Sequence, residues 1–298
     1  GGRIAEAARR DTFVTGLRCV GGSMTTLAPA NSALSARLRP FVVALEEHRA
    51  EFDCGAFGWV IGREDRLDPL RLASVRFLEI LRRLDAATFG PEGMPMPRWV
   101  FFDGAELPGG IVGFGADAGT LSLHTRQLLE VEASYQGLVP LSMFIAIPTH
   151  EPGTWMAHNL ASIAPQVPDE ALQGLGGLTK AYGLRVYRAR RQIGATQWNS
   201  SALSIHTRLG PLNLASAWTP AHSEPWTLTY GVDVTESALL NLARDSAGAV
   251  ETPPVDLWID SDDHAAMRDL QARIESGECF RIVGKPQRVA QKRLRVPV

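Results

Sequence analysis

One stretch, residues 174–210, constrains the fold of this chain more than any other part of the sequence. Gly174, Gly176 and Gly177 predict a turn that no side chain crowds, and a helix starts directly after it. The backbone N–H groups of such a turn, including that of Leu175, can face a bound anion, and the positive end of the helix dipole lies at the same spot. The turn is therefore predicted to hold a phosphate group.

The remainder of the same stretch predicts a strand and a second helix. Gly194 ends the first helix, and residues 193–198 have the composition of a short strand. Asn199 is predicted to cap a helix over residues 200–208, which stops at Gly210 because a proline follows. The glycine turn, helix, strand and capped helix together predict a pocket for a phosphate-bearing cofactor.

Ahead of this stretch, the hydrophobic pattern predicts a helix followed by several strands. Asp68 and the proline after it begin a helix that has an apolar residue at every third position. Residues 98–103 and 110–115 are predicted as two strands of a hairpin. The most continuous apolar run, residues 138–148, is typical of a central strand buried on both faces, and residues 155–163 are its predicted partner.

A second group of weaker patterns completes the predicted architecture. Helices are predicted at residues 4–10, 35–48, 120–133 and 262–276, and strands at residues 55–61, 212–218, 226–234, 255–259 and 280–283. These elements predict an α/β protein with a mixed, mainly antiparallel central sheet and helices on both faces. We divide it into an N-terminal helical arm (1–50), a core (51–234) and a small C-terminal α/β extension (235–298), whose basic end is predicted to be solvated.

Composition and charge narrow the classes of partner. Thirty basic and 32 acidic residues give a formal net charge of −2, which offers no attraction to nucleic acid or to an acidic membrane surface. No apolar run approaches the roughly 18 residues that span a bilayer, and no leader is evident, so we expect a cytoplasmic protein. Cys19, Cys54 and Cys279 are widely spaced and odd in number, which predicts reduced thiols and no metal site. The sequence leaves open whether the protein forms a homodimer.

The segment that follows the predicted strand matches a known pattern. Asn199, Ala202, Ile205, His206 and Gly210 fall at the places of Asn, Ala, an aliphatic residue, Tyr and Gly in N-x-x-A-x-x-h-Y-x-x-x-G-F. In this respect the chain resembles the GNAT superfamily, the general-control-type N-acetyltransferases, which use acetyl-CoA. In that family the segment follows the fifth strand.

The glycine turn carries the other part of the resemblance. In the GNAT superfamily a Q/R-x-x-G-x-G/A turn before the third helix holds the pyrophosphate of the cofactor. Gly174 and Gly176 match its two glycines, whereas Ala171 stands where Gln or Arg is usual. Pro211 replaces an aromatic residue, and His206 replaces the tyrosine.

The resemblance implies a binding mode for an acyl-CoA co-substrate, either acetyl-CoA or a larger acyl-CoA. Two parallel central strands would splay apart, and the pantetheine arm would lie in the gap beside Ile163 and Asn199. The pyrophosphate would sit on the turn that includes Gly174, and Lys180 is among the basic residues near the adenosine 3′-phosphate. The implied activity is acyl transfer to a small-molecule amine by direct attack in a ternary complex, because no Cys lies in the motif region to carry the acyl group.

Acyl transfer to an amine needs a base for the amine proton, donors for the oxyanion and an acid for the leaving thiolate. His206 stands where the tyrosine of the family supplies that acid, and an imidazolium is competent for this role. The candidate bases are Glu106 and Asp103 at the predicted hairpin, His158 on a strand beside the groove, and His222 in the loop between the last two strands of the core.

Two other functions stay open. The same pocket is compatible with decarboxylation of an acyl-CoA or with transfer to a carrier-protein thiol, in which His206 or His222 would act as the acid. The substituted Gln/Arg and aromatic positions favour instead a non-catalytic module that binds CoA or a partner protein. A purely structural role, as a helix cap for Asn199 or as a packed residue for His206, is also compatible with the sequence.

Overall fold

The computed structural model describes residues 36–45, 56–93, 95–106, 110–168, 172–244, 254–290 and 293–298. The strands are β1 Arg39–Val43, β2 Arg66–Leu67, β3 Gly110–Asp117, β4 Leu138–Pro148, β5 Thr154–Ser162, β6 Arg191–Gln197, β7 Leu212–Ser216, β8 Thr227–Asp233, β9 Trp258–Asp260, β10 Arg281–Ile282, β11 Gln287–Ala290 and β12 Arg293–Pro297. The α-helices are α1 Val75–Phe89, α2 Arg98–Glu106, α3 Leu123–Leu128, α4 Leu175–Val186, α5 Leu203–His206, α6 Glu236–Ala243 and α7 His264–Glu275.

Among the described residues, nine strands form one sheet in the order β10-β7-β8-β6-β5-β4-β3-β1-β2, and β11-β12-β9 form a second sheet. Neighbouring strands of the large sheet are antiparallel except for the pairs β1–β2 and β5–β6. The expected mixed, mainly antiparallel sheet is therefore confirmed. No described helix is both long enough and apolar enough to cross a bilayer.

The central strand β4 shows how helices cover both faces of the sheet. Its first nine residues are buried, and its bounds agree with the predicted strand. Successive side chains of a strand point to opposite faces. Phe144 packs against α4, where a Cβ added to Gly183 would lie 2.6 Å from its ring, and Ile145 packs against Gly104 of α2 on the other face. The strand is thus the core of a three-layer arrangement.

The strand predicted at residues 98–103 is wrong, because these residues belong to α2. Val100, Phe101 and Gly104 are buried, whereas Trp99 and Phe102 are exposed, which is the spacing of a helix face. The aromatic and β-branched composition suggested a strand, but packing of this face against β3 and β4 selects the helix. The predicted hairpin between this segment and β3 is wrong for the same reason.

The N-terminal predictions also change. The helix expected at residues 35–48 is wrong, since β1 lies there between β3 and β2 and is buried from its second residue onward. In place of the strand expected at residues 55–61, a tight turn is closed by one bridge between Ala56 and Trp59, with Phe57 at φ 53°. The helix expected at residues 4–10 lies outside the described residues.

Local hydrogen bonds explain why two predicted helices are shorter than expected. Asp68 accepts a bond from the Leu70 N–H inside a turn, and α1 begins only after a 3₁₀ segment at Leu72–Ser74. The helix predicted at residues 120–133 is reduced to α3, which Ser122 caps through the Thr125 N–H. Glu130 follows it at φ 48°, a conformation that cannot continue a helix.

Residues 235–298 contribute to both sheets. The short strand β10 pairs with β7 at the edge of the large sheet, and α6 packs against α4. The strands β9, β11 and β12 form the second sheet. Part of the basic segment, which was expected to be simply solvated, is therefore paired, with the side chains of β11 exposed and those of Leu294 and Val296 in β12 buried. Cys279 is exposed, while Cys19 and Cys54 lie outside the described residues.

Candidate active site between β5 and β6

The parallel strands β5 and β6 separate part-way along their length. They pair from Thr154 opposite Arg191 to Ala157 opposite Gly194, although both strands continue further. On its other side β5 has an irregularity in its pairing with β4, which leaves His158 as an extra residue. Such a bulge bends a strand and increases its twist. A gap opens beyond the last pair. On the edges that face this gap, the backbone groups of β5 and β6 are not hydrogen-bonded to each other.

A cavity of about 290 Å³ lies in this gap. Its walls include His158 and Asn159 of β5, Gln197 of β6, His206 of α5, Tyr230 of β8 and His222 of the loop between β7 and β8. Of the three predicted catalytic residues, His206 and His222 therefore line one cavity, together with the candidate base His158.

A buried hydrogen bond joins His206 to Lys180 of α4. Lys180 Nζ lies 2.5 Å from His206 Nδ1, and the two residues are 0% and 7% exposed. Burial lowers the pKa of Lys180 well below its ordinary value. Burial also lowers the pKa of His206, and the neighbouring Lys180 lowers it further. Two adjacent cations are strongly disfavoured in such surroundings, so the pair holds at most one excess proton.

This bond determines how His206 faces the cavity. When Lys180 Nζ donates to Nδ1, the ring proton of the neutral imidazole resides on Nε2, on the other side of the ring. The expectation that Lys180 lies near a nucleotide phosphate is wrong, because its side chain is enclosed beside this histidine. The sequence spacing of the two residues gave no sign of the contact.

Tyr230 forms the wall next to His206. Their ring centroids are 5.3 Å apart, and Gln192 Nε2 donates to the Tyr230 hydroxyl oxygen over 2.9 Å. Burial raises the pKa of Tyr230 above its ordinary value, so the phenol stays protonated at neutral pH. Gly194 marks the point where the strands part, and a Cβ there would lie 2.8 Å from the Tyr230 hydroxyl. A larger residue at this position would displace the Tyr230 ring.

The candidate bases differ in their surroundings. Desolvation lowers the pKa of His158, although its side chain is exposed, and so its imidazole is neutral at neutral pH. His222 is exposed in its loop, and its Nδ1 accepts the Glu224 N–H over 3.0 Å. Glu106 ends α2, and its side chain lies outside the described residues. Asp103 is exposed on α2 and does not line the cavity.

The glycine turn is more crowded than the sequence suggested. Gly174, at φ 84°, precedes α4, and the Leu175 N–H donates to the Leu172 carbonyl over 3.0 Å. Gly176 and Gly177 are buried, and a Cβ on Gly177 would lie 2.7 Å from the carbonyl oxygen of Leu242 in α6. The prediction of a bare turn is therefore wrong at Gly177, where glycine permits close approach of two helices.

Two predicted cofactor contacts lie outside the cavity wall. Ile163 is fully buried beyond the end of β5, and its N–H donates to the Leu141 carbonyl over 3.0 Å. Asn199 is exposed and is not a helix cap, because α5 begins only at Leu203 and has no side-chain cap. Ser200 Oγ instead accepts the Ala202 N–H over 3.2 Å. Neither side chain is therefore placed to contact a molecule in the cavity.

The described residues contain no group of three or more His, Cys, Asp or Glu side chains arranged to hold a metal ion. No protein-family model matches the chain, and no curated protein matches it. A solved structure from Klebsiella pneumoniae subsp. pneumoniae MGH 78578, provisionally assigned as an acyl-CoA N-acyltransferase, is similar at 13% identity with a TM-score of 0.31. The match covers 54% of this chain and 91% of that chain. A likeness this low leaves function to be argued from the cavity itself.

Proposed function

We propose that this protein transfers an acyl group from an acyl-CoA to a small-molecule amine inside the cavity between β5 and β6. One observation carries the proposal: the strands stop pairing after Ala157 and Gly194, and the buried His206 lies at the gap. Splayed parallel strands are also what the resemblance to the GNAT superfamily implies. The motif segment that contains His206 supports the same reading.

The gap suits the thioester end of an acyl-CoA. An extended pantetheine arm carries two amide groups, and strand edges without ladder bonds offer backbone N–H and C=O groups to them. The cavity of about 290 Å³ holds a short acyl group, and Phe144 and Leu160 give its wall an apolar part. Binding of the diphosphate at the glycine turn requires α6 to move away from Gly177, because the Leu242 carbonyl lies there.

The proposed reaction is a direct attack in a ternary complex. The amine nitrogen forms a bond to the thioester carbon, and His158 takes the proton that the amine loses. The carbon–sulfur bond then breaks, and the leaving thiolate takes the Nε2 proton of His206. Lys180 passes a proton to Nδ1 of the same ring, so the products are an amide and the free CoA thiol.

Lys180 supplies the proton that the neutral His206 ring lacks. Burial lowers the pKa of His206, so the imidazolium expected from the sequence is disfavoured, and a neutral imidazole is a weak acid toward a thiolate whose conjugate acid has a pKa of about 8.5. A proton held on Lys180, whose pKa is also lowered, makes the pair a stronger acid than the ring by itself. Lys180 thus acts through His206 and is a positioning and proton-supplying residue.

Turnover tests the proposal directly. Incubation with acetyl-CoA and a panel of primary amines is expected to release the CoA thiol and to form amides detectable by mass spectrometry. His206→Gln is expected to lower kcat/KM by about 10²-fold or more, the usual contribution of a positioned acid. His150→Gln, at an exposed histidine in the turn after β4, is the matched control and should leave the rate unchanged. Amide formation that persists in His206→Gln contradicts the assigned role.

A non-catalytic module that binds acyl-CoA or a protein partner is the second candidate, and the covered glycine turn favours the form that binds a protein partner. Thermal shift with CoA separates the two readings. A shift that Gly176→Glu removes, without turnover of any amine, supports a binding module. No shift of the wild-type protein by CoA rules out both the transferase and the CoA-binding module, and leaves a protein partner.

A further inference from the structure

A buried polar cluster holds the side chain of Asn159 on the α1 side of the cavity. Asn159 Nδ2 donates to Asp85 Oδ1 over 3.0 Å and lies 3.1 Å from the sulfur of Met96. Asp85 is 1% exposed, and its second oxygen accepts the Met96 N–H over 2.7 Å. Since a carboxylate only accepts hydrogen bonds, this arrangement fixes which end of the amide faces Asp85.

Because the nitrogen of the Asn159 amide is held by Asp85 and Met96, its oxygen is the atom that remains to bind a molecule in the cavity. Both hydrogens of Asn159 Nδ2 are directed at Asp85 and Met96, and Asn159 lines the cavity. Within the described parts of the chain, no donor reaches its Oδ1. An amide oxygen in this position accepts a hydrogen bond from an N–H or ammonium group.

The cluster and His206 lie on opposite sides of the sheet. Asn159 contacts Asp85 of α1, whereas His206 contacts Lys180 of α4, and the sheet separates the two helices. The cavity therefore crosses the sheet at the gap. Phe89 and Met96 also line its α1 side and form an apolar wall next to Asn159.

We propose that Asn159 Oδ1, oriented by Asp85, binds the nitrogen of a primary amine whose hydrocarbon part packs against Phe89 and Met96. This inference names the acceptor class of the proposed transferase. The amine site itself is independent of that function, whereas its role as the acceptor site rests on it. Acyl donor and acceptor would then approach from opposite faces of the sheet, with His158 beside the amine as the proton acceptor.

Binding of two probes of similar size, measured without CoA, tests the inference. Benzylamine carries N–H donors, and benzyl methyl ether carries none. Titrations followed by protein NMR are expected to give a dissociation constant about tenfold lower for benzylamine, the size expected for one hydrogen bond from a charged donor. Asn159→Leu should abolish the preference while the ether still binds.

Further variants separate binding from folding. Asn159→Ser also removes the amide oxygen, and it replaces the leucine variant if that variant fails to fold. Asp85→Asn is expected to reduce the preference for benzylamine, because the Asn159 amide is then free to rotate. Asn213→Leu, at an exposed asparagine of β7, is the matched control and should keep the tenfold preference. An equal loss of both probes in the Asn159 and Asp85 variants, or no preference in the wild type, overturns the proposal. Amine preference without CoA binding would refute the transferase function and leave the amine site standing.

Discussion

The side chain of Lys180 lies wholly inside the protein. Its hydrogen-bond partner is His206, which lies 26 residues later in the sequence. Removing an ammonium group from water is costly unless a partner compensates, and an imidazole compensates only in its neutral form. This explains why burial lowers the pKa of both groups. A residue kept at such a cost is a strong candidate for a chemical role.

The pH dependence of stability follows from these lowered pKa values. The unfolded chain binds a proton on Lys180 below about pH 10.4, whereas the folded protein binds it only below the lowered pKa, so folding stability falls as pH decreases through this window. Lys180→Met removes this effect. In urea unfolding, we expect the variant to gain stability relative to wild type as pH falls, by up to about 1.4 kcal/mol per pH unit.

The exposed Lys285 provides the control for this measurement, and Lys285→Met should follow the pH profile of the wild type. A Lys180→Met profile parallel to that of the wild type between pH 8 and 10.5 would show that the amine is not desolvated in the folded protein.

At the scale of elements, the contact between α4 and α6 decides whether the glycine turn is open. Two neighbouring glycines of α4 have different surroundings: a Cβ on Gly176 would meet Ile205 and Ser162 at 3.6 Å, an ordinary contact, whereas a Cβ on Gly177 would press on the Leu242 carbonyl at 2.7 Å. Backbone cannot yield as a flexible side chain can. Gly177 is therefore the position that permits α6 to pack.

The two glycines give a matched pair of substitutions. Gly177→Ala is expected to lower the free energy of unfolding by about 1–3 kcal/mol, as overpacking does. Gly176→Ala is expected to raise it by about 0.4–1 kcal/mol, because alanine restricts the unfolded chain and fits the available space. Chemical denaturation of both variants measures the difference. Equal effects of the two substitutions would contradict the contact with α6.

At the scale of the whole molecule, the C-terminal region supports the cavity. Gln271 Oε1 of α7 accepts the N–H groups of Ala217 and Trp218, over 2.8 and 3.3 Å, at the start of the loop that carries His222. The His264 ring stacks on Trp226 with centroids 5.4 Å apart. A helix distant in sequence thereby restrains one wall of the candidate site.

Gln271→Met tests this support. Loss of Gln271 Oε1 leaves the N–H groups of Ala217 and Trp218 without their hydrogen-bond acceptor, and we expect the free energy of unfolding to fall by about 1 kcal/mol. Hydrogen exchange at the amides of Ala217 and Trp218 should become faster. Gln287→Met, at an exposed site of β11, is the control and should leave both quantities unchanged. Unaltered exchange in Gln271→Met would mean that the loop holds its conformation independently of α7.

Local patterns in the sequence determined much of the sheet. The most continuous apolar run predicts β4 with its observed bounds, and the strands β5, β6, β7 and β8 lie within a few residues of their predicted positions. These elements follow from hydrophobic periodicity and chain breakers, which depend only on neighbours along the chain. The start of the helix after Gly174 belongs to the same group, whereas its predicted end at Gly194 is wrong, because α4 ends at Val186 and Gly194 lies inside β6.

Tertiary contacts decided the rest. Whether residues 98–103 form a strand or a helix depends on the face that β3 and β4 bury, and whether the glycine turn is open depends on Leu242. The meeting of Lys180 with His206, and of Asp85 with Asn159, likewise joins residues that no local pattern connects. Burial and hydrogen bonding act between groups that are close in space, so the sequence determined the elements, whereas only the packed structure determined which side chains face the cavity.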